Sequence, residues 1–578
     1  MNDTCSTGEL RLASPARAPR VAHDLLALAY EPAVLPPWVD LRLDGNEGRA
    51  PAPPFAAFDG ELLRRYPDVR ALQTLLARRH GVAAERVLVT AGADDALDRI
   101  CRAVLAPGRT AVLPEPTFVM LRRYIALAGG ERVVVPWPGG EFPRAEVAAA
   151  IDARTALVFV VSPNNPTGAV ASRADLEALS AAAPDALIVL DAAYGEFATD
   201  DLTPLALELP NVVVVRTLSK AYGLAGCRVG YAIAPDATLA RCLAAAGSPY
   251  PVAAPSLALA AARLLHDPSP FVAEVRAEVH ELTQQLVAFG LDVARSEANF
   301  VLARGPRAPF LHAALRALGI AVRRFDGEPS LGSAVRITCP GERRALVRLS
   351  AALATAFAPD TLLFDLDGVL ADVSRSYRVA IVRTAQRFGA EVTAADIDAR
   401  KALGDANDDF QVTCDLVRAR GLPADYAAVA STFQQLYDDG LWRRETLLLP
   451  RTQLLELRRR FRVGIVTGRP TADAERFLVH HGLQDCFDAV VCREHAPCKP
   501  DPAPVRLALD RLGGRRAWLF GDTPDDVAAA RGAAVLPIGV VPPNGGDAVA
   551  ASLDAAGAAR VLRRTTDLDR LLPGAPTP

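Results

Sequence analysis

Short apolar runs recur along the chain, each ending at a polar or glycine-rich turn. VVVV at Val212 to Val215, ALVFVV before Ser162 and ALIVLD ending at Asp191 are β-branched or continuously apolar, as strands buried on both faces are. LVTAGADDALDRICRAVL, from Leu88, reads as a strand, a glycine turn and an amphipathic helix, and AVLPEPTFVM begins the next such unit. Beyond Pro249 the period changes to helical Ala/Leu/Arg spacing as far as about Phe289. A smaller α+β stretch follows, with EANFVLAR, AVRRF and SAVRITCP. At 360 the pattern restarts: TLLFDLDG, FRVGIVTG and AWLFGD are apolar strands that each end in polar residues, and the segment from about 373 to 450 is helical. The pattern predicts an α/β fold throughout, in two successive units.

Composition narrows the function classes. At 578 residues the chain is too long for one core. A net charge of −3 gives no electrostatic case for nucleic acid or an anionic membrane surface, and no apolar run is long enough to span a bilayer. The nine cysteines are scattered without CxxC pairs, so reduced thiols in a cytoplasmic protein are expected; Cys492 and Cys498 flank His495 at a spacing that fits no zinc pattern. Residues 1–20 read as a disordered tail. The basic residues are the most informative. Of 64 Lys and Arg only Lys220, Lys401 and Lys499 are lysine, which leaves 61 arginines. Arginine serves wherever a bare positive charge is enough, whereas a lysine can lose its proton and attack a carbonyl. Lys220 follows the strand at Val212 and is flanked by Thr217, Ser219 and Arg228, whose hydroxyls and guanidinium can converge on a phosphate. The helix start at Ala93 and Asp94 offers free N–H groups to the same kind of ligand. Lys401 lies in the helical insert and is read as a solvated helix residue.

The segment RTLSKAYGLAGCRVG resembles the cofactor-lysine motif of the fold-type-I pyridoxal-phosphate enzymes, the histidinol-phosphate aminotransferase family in particular. The resemblance covers roughly residues 20 to 357. It implies pyridoxal 5'-phosphate held by Lys220. Asp191 would pair with the ring nitrogen, Asn165 of SPNNPTG and Tyr194 would bond the ring's phenolate oxygen, and Phe118 would stack on the ring. Asn46, in the Asn46–Glu47 pair of LRLDGNEG, would lie on an arm crossing the site, and Arg323 and Arg336 would bind the substrate's anionic group, with Arg324 able to exchange roles with Arg323. Tyr66 would reach the cofactor phosphate of a second subunit, which makes a homodimer the expected assembly. Two features depart from the family pattern: its Tyr-x-Pro-Gly signature is reduced to Tyr30-Glu31-Pro32, and Ala192 replaces a glutamate.

In the second unit Asp365 and Asp367 are two apart on a strand end, so their side chains share a side. Such a pair can bind Mg2+, the first as nucleophile and the second as acid/base. Thr467 ends the next strand with a hydroxyl for a phosphoryl group, Lys499 sits in CKPDP, and Asp522 and Asp526 add carboxylates for the metal. This ordered set resembles the haloacid-dehalogenase superfamily, in its phosphoglycolate-phosphatase-like branch, over about 360 to 575. The expected layout is an aminotransferase over 21–357, with a large domain of about 50–260 and a small one of about 21–49 plus 265–357. A doubly wound phosphatase core over 360–575, capped by about 373–450, follows. The resemblances imply a bifunctional enzyme of histidine biosynthesis. It would transfer an amino group between glutamate and a phosphorylated keto compound, with imidazole-acetol phosphate the best candidate, and hydrolyse a phosphomonoester such as histidinol phosphate. An aminotransferase for other amino acids, a phospho-amino-acid decarboxylase, or one inactive half are the alternatives.

Overall fold

The computed structural model describes residues 34–49, 60–325, 328–404, 407–543 and 545–572. The expected tail over 1–20 and the Tyr30-Glu31-Pro32 remnant lie outside these residues. Two parallel-type sheets dominate. The first has seven strands in the order Val87–Thr90, Gly230–Ile233, Val212–Thr217, Leu187–Asp191, Thr155–Val161, Thr110–Glu115, Glu131–Pro136. Gly230–Ile233 runs antiparallel to both its neighbours, while the remaining pairs are parallel. Thr155–Val161 and Val212–Thr217 are buried at every position, because helices cover both faces of a sheet with crossover connections. This is why those strands read as continuous apolar runs.

A five-stranded sheet holds the smaller α+β stretch. Phe300–Arg304, Ala334–Thr338 and Ile320–Arg324 are antiparallel, and Leu41–Leu43 joins Ile320–Arg324 in parallel. The chain's early residues are thereby drawn to a strand almost three hundred positions later. The third sheet is wholly parallel, in the order Ala489–Val491, Arg462–Val466, Thr361–Phe364, Ala517–Gly521, Leu536–Val540, Arg560–Leu562. Four helices, Tyr377–Arg387, Ala394–Ala402, Asp409–Arg418 and Tyr426–Asp438, form the insert. It leaves and re-enters the core through a two-stranded antiparallel ribbon, Ala371–Asp372 with Thr446–Leu447.

The helix Arg343–Phe357 runs almost directly into Thr361–Phe364. Trp518 of the third sheet donates its indole N–H to the Thr355 carbonyl at 2.7 Å and lies 5.9 Å from Phe310. The Arg531 guanidinium stacks 4.0 Å over Trp38. Among the described residues no helix is long and apolar enough to cross a membrane.

Candidate active sites

Both sites form where parallel strands end at their carboxyl edges, since the loops there leave a crevice above the sheet. In the first sheet, Leu187–Asp191 delivers Asp191, Thr155–Val161 delivers Asn165, and Val212–Thr217 delivers Thr217, Ser219 and Lys220. Asp191 is buried, and one of its oxygens accepts the Ala193 N–H at 3.0 Å. Burial pushes its carboxyl up to about 7. A carboxylate in this position is costly unless a cation faces it, and a protonated ring nitrogen is such a cation. Lys220 Nζ lies 3.5 Å from the Gly45 carbonyl and 5.7 Å from the centre of the Tyr194 ring.

The arm with Asn46 lies across this turn, and a Cβ on Gly48 would run into the Lys220 carbonyl. Asn46 Nδ2 donates to the Tyr194 hydroxyl at 3.0 Å, and its Oδ1 accepts from Thr338 Oγ1 at 2.8 Å. The arm is therefore pinned to the five-stranded sheet, with Asn46 held at a φ of 52°. Arg336, on a strand of that sheet, donates to Asn165 Oδ1 at 2.5 Å and to the Asp44 carbonyl at 2.8 Å. Arg323 is its direct cross-strand partner, so both project on one face. Phe118, in the loop after Thr110–Glu115, is half-buried against the core.

The residues expected to hold a phosphate lie near one another at the start of the helix Gly92–Val104. Arg228 donates to Asp94 at 2.8 Å, and Thr217 donates to Ser219 Oγ at 2.8 Å. Two glycines allow this approach: a Cβ on Gly92, whose φ is +79°, would meet the Arg228 guanidinium at 2.8 Å, and one on Gly230 would collide with the backbone of Gly92 and Ala93. The N–H groups of Ala93 and Asp94, two hydroxyls and a guanidinium fit a phosphate, and with Lys220 and Asp191 they fit pyridoxal phosphate. Tyr66 is elsewhere, 80 % exposed and stacked 4.6 Å from Tyr250.

In the third sheet, Thr361–Phe364 delivers Asp365, Arg462–Val466 delivers Thr467, and Ala517–Gly521 delivers Asp522. Carboxylate oxygens of Asp365, Asp522 and Asp526 lie within 4.8 Å of one another. Lys499 Nζ donates to Asp365 at 2.7 Å, to the Val466 carbonyl at 3.0 Å and, by a short contact, to Asp526. Burial raises the Asp365 carboxyl to about 7 against the pull of Lys499. Burial, with the charges of Asp365 and Asp526, also pushes Asp522 well up. Three crowded hard-oxygen donors with one ammonium fit a divalent cation such as Mg2+. Gly368 makes room for the cluster, as a Cβ there would run into the Asp522 carboxylate. Asp526 accepts from the backbone N–H and hydroxyl of Thr523, a capping box that fixes the helix Pro524–Gly532.

Two expectations need correction. Asp367, expected among the metal carboxylates, stands apart from the cluster: its side chain is turned to Arg469, at 2.5 and 2.8 Å. Arg469 is fully buried and also donates to Glu445 at 3.0 Å, beside the ribbon strand Thr446–Leu447. Lys401, expected to be solvated, is only 21 % exposed and pairs with Asp409 at 2.9 Å. Burial opposes its charge, but Asp409 and Asp522 outweigh that and raise its pKa. Arg469 was missed although it stands two residues after Thr467, because one arginine among 61 carries no signal.

Comparison with known proteins gives two family matches, aminotransferase class I and II over residues 43–352 and haloacid dehalogenase-like hydrolase over 359–534. Histidinol-phosphate aminotransferase of Xylella fastidiosa is 37 % identical over 316 residues, covering 52 % of this chain and 85 % of that protein. Imidazoleglycerol-phosphate dehydratase of Phytophthora nicotianae is 44 % identical over 197 residues, 32 % of this chain; the chain spans 43 % of that relative's length. A solved histidinol-phosphate aminotransferase of Sinorhizobium meliloti, in complex with pyridoxal-5'-phosphate, matches 55 % of this chain and 90 % of its own at 26 % identity and a TM-score of 0.48. With its first family match spanning more than half its length, the chain belongs to the class I and II aminotransferases, and behind that unit it carries a haloacid dehalogenase-like hydrolase domain.

Proposed function

We propose that the protein is a bifunctional enzyme of histidine biosynthesis. Its first unit would exchange the amino group between histidinol phosphate and 2-oxoglutarate, and its second would hydrolyse a phosphomonoester, histidinol phosphate in the first instance. The observation that carries this is that one chain holds both the lysine turn with its phosphate cradle and the buried Asp365–Lys499–Asp526 cluster. The names of the Xylella and Phytophthora relatives, both of reactions on imidazole-bearing phosphates, support the pathway.

Bound pyridoxal phosphate would supply an aldehyde for Lys220 and a ring that withdraws electrons from the substrate's α-carbon. Lys220, as a free amine, takes the α-proton and returns one. Asp191 keeps the ring nitrogen protonated, and Asn165 and Tyr194 hold the ring oxygen. Thr217, Ser219, Arg228 and the N–H groups of Ala93 and Asp94 hold the phosphate. Arg336, with Arg323, receives either glutamate's carboxylate or the second substrate's phosphate, since a guanidinium fork suits both. Tyr66 serves the partner subunit of a homodimer; its exposure and its pairing with Tyr250 support that role. A cytoplasmic location goes with this reading.

In the second unit Mg2+ would sit among Asp365, Asp522 and Asp526 and offset charge on the phosphoryl oxygens. Asp365 attacks phosphorus. Thr467 and Lys499 hold the transferring group, and Asp367 gives a proton to the leaving oxygen and then takes one from water. The test uses wild type and histidinol phosphate. With 2-oxoglutarate it should form glutamate, and with Mg2+ alone it should release phosphate. If other substrates are used and histidinol phosphate is ignored at both sites, the pathway reading fails.

A further inference from the structure

Asp367 is held by a buried network that reaches well beyond the carboxylate cluster. Arg469 Nε and Nη2 both donate to its Oδ1, at 2.8 and 2.5 Å. Among the described residues its Oδ2 accepts no hydrogen bond, and the side chain is 19 % exposed, so Oδ2 is the oxygen left to exchange a proton. The Arg469 side chain is fully buried, and its backbone N–H donates to the Thr467 hydroxyl at 3.1 Å. It therefore shares a turn with the hydroxyl expected to meet the phosphoryl group.

A guanidinium at that depth is costly unless its donors are met. Glu445 accepts from Nη1 at 3.0 Å and from Nη2 at 3.2 Å, and the Tyr437 hydroxyl accepts from Nη1 at 3.3 Å. Glu445 is itself buried and accepts further bonds from the Ser376 hydroxyl at 2.8 Å and the Tyr437 hydroxyl at 3.2 Å. The Tyr377 ring centre lies 4.7 Å from the guanidinium. Ser376 and Tyr377 stand where the chain leaves the core for the insert, soon after Ala371–Asp372; Tyr437 and Glu445 stand where it returns, ahead of Thr446–Leu447. Glu445 alone would neutralise the guanidinium. The two donors set on one Asp367 oxygen do something further: they fix the plane of the carboxylate and leave its second oxygen free. Because Glu445 compensates the charge, Arg469 acts on Asp367 by the geometry of those two bonds.

We propose that Arg469 is a positioning residue for proton transfer at Asp367, held in turn by Glu445. In the step concerned the bond from Asp365 to phosphorus forms and the bond from phosphorus to the ester oxygen breaks, while the proton on Asp367 passes to that oxygen. The inference rests on the reading of the second unit as a phosphatase with Asp367 as its acid/base, and adds the residue that aims the acid.

The test uses the full chain with Mg2+ and two esters: ethyl phosphate, whose alkoxide must be protonated as it leaves, and 4-nitrophenyl phosphate, whose phenolate leaves without a proton. Because kcat/KM covers only the steps up to departure of the leaving group, later hydrolysis of the aspartyl phosphate does not enter it. Arg469→Met should lower kcat/KM for ethyl phosphate by about 100-fold, the scale of a displaced catalytic group. The loss on 4-nitrophenyl phosphate should be smaller by about tenfold or more. Arg469→Lys keeps the buried charge but not the paired bonds to Oδ1; it should show the same preference with smaller losses, and it carries the test if Arg469→Met does not fold. Added to Asp367→Asn, either substitution should change the ethyl phosphate value by less than about threefold, since the group it positions is gone. Equal losses on both esters, no loss on either, or a loss that adds in full to that of Asp367→Asn overturns the proposal. Release of phosphate from neither ester by wild type overturns the phosphatase reading, and the proposal with it.

Discussion

Lys220 and Lys499 both stand where a phosphate is expected, yet their surroundings give them opposite chemistry. Lys499 is wedged between Asp365 and Asp526, whose charges outweigh its burial and hold it protonated. Lys220 faces a carbonyl and an aromatic ring and has no ion pair among the described residues. On the proposed reading Lys499 serves by its charge and Lys220 by its amine. Lys220→Arg should therefore lower transamination by about 10³-fold or more, the scale of a lost proton-transfer group, while phosphate release is unchanged. Coupled glutamate and phosphate assays read both. A second residue-scale prediction concerns His80, bonded to the Tyr231 hydroxyl at 2.9 Å. Burial, then the charges of Arg216 and Arg79, lowers its pKa to about 4. The folded state keeps it neutral while the unfolded chain protonates near pH 6.5, so its contribution is complete above that pH and is lost as pH falls toward 4. Wild type should lose about 2 kcal/mol more than His80→Gln between pH 7 and pH 5 in urea unfolding. Equal losses would show that His80 is not held neutral. Residues of these kinds differ in how far the sequence exposes them. Lys220 and Lys499 stand out because lysine is rare here; Arg469 and the burial of Lys401 do not, because each depends on elements distant in sequence, Glu445 and Asp367 for one and the core loops for the other.

At the scale of elements, the phosphate cradle depends on how closely the antiparallel strand Gly230–Ile233 approaches the helix Gly92–Val104. Gly230→Ala places a methyl against the backbone of Gly92 and Ala93. It should push the helix start away, weaken pyridoxal phosphate retention by about tenfold or more and cost about 1–3 kcal/mol, as overpacking does. Equilibrium dialysis of the cofactor and thermal unfolding would check the two effects; unchanged retention would separate the helix start from the cradle. The strands that end at the sites were legible because burial on both faces makes them continuous apolar runs. The arm was legible only by resemblance. Leu41–Leu43 is short, and what fixes it is pairing with Ile320–Arg324 and the Asn46–Tyr194–Thr338 bonds, which no local pattern encodes. Likewise, the insert's helices follow from periodicity, but the way Gly404, Asn407 and Asp408 seat on the core follows from close approaches at two glycines and one ion pair.

Across the whole molecule, the restart of the pattern at 360 marks a change of sheet without a break in packing. Trp518, Phe310, Phe357 and Thr355 meet at the join, and Arg531 stacks on Trp38. Trp518→Phe keeps the ring contact and leaves the Thr355 carbonyl without its donor. It should cost about 1–2 kcal/mol with both activities retained. A loss of either activity at full occupancy would mean that the join also tunes a site. Neither site draws a described side chain from the other's sheet, so the account requires two reactions that can be removed one at a time. The most direct test supplies histidinol phosphate to Lys220→Ala and to Asp365→Asn, with 2-oxoglutarate and with Mg2+, and follows glutamate and free phosphate together. Lys220→Ala should release phosphate and form no glutamate, and Asp365→Asn should form glutamate and release no phosphate. Loss of both products in either variant would contradict two independent sites in one chain.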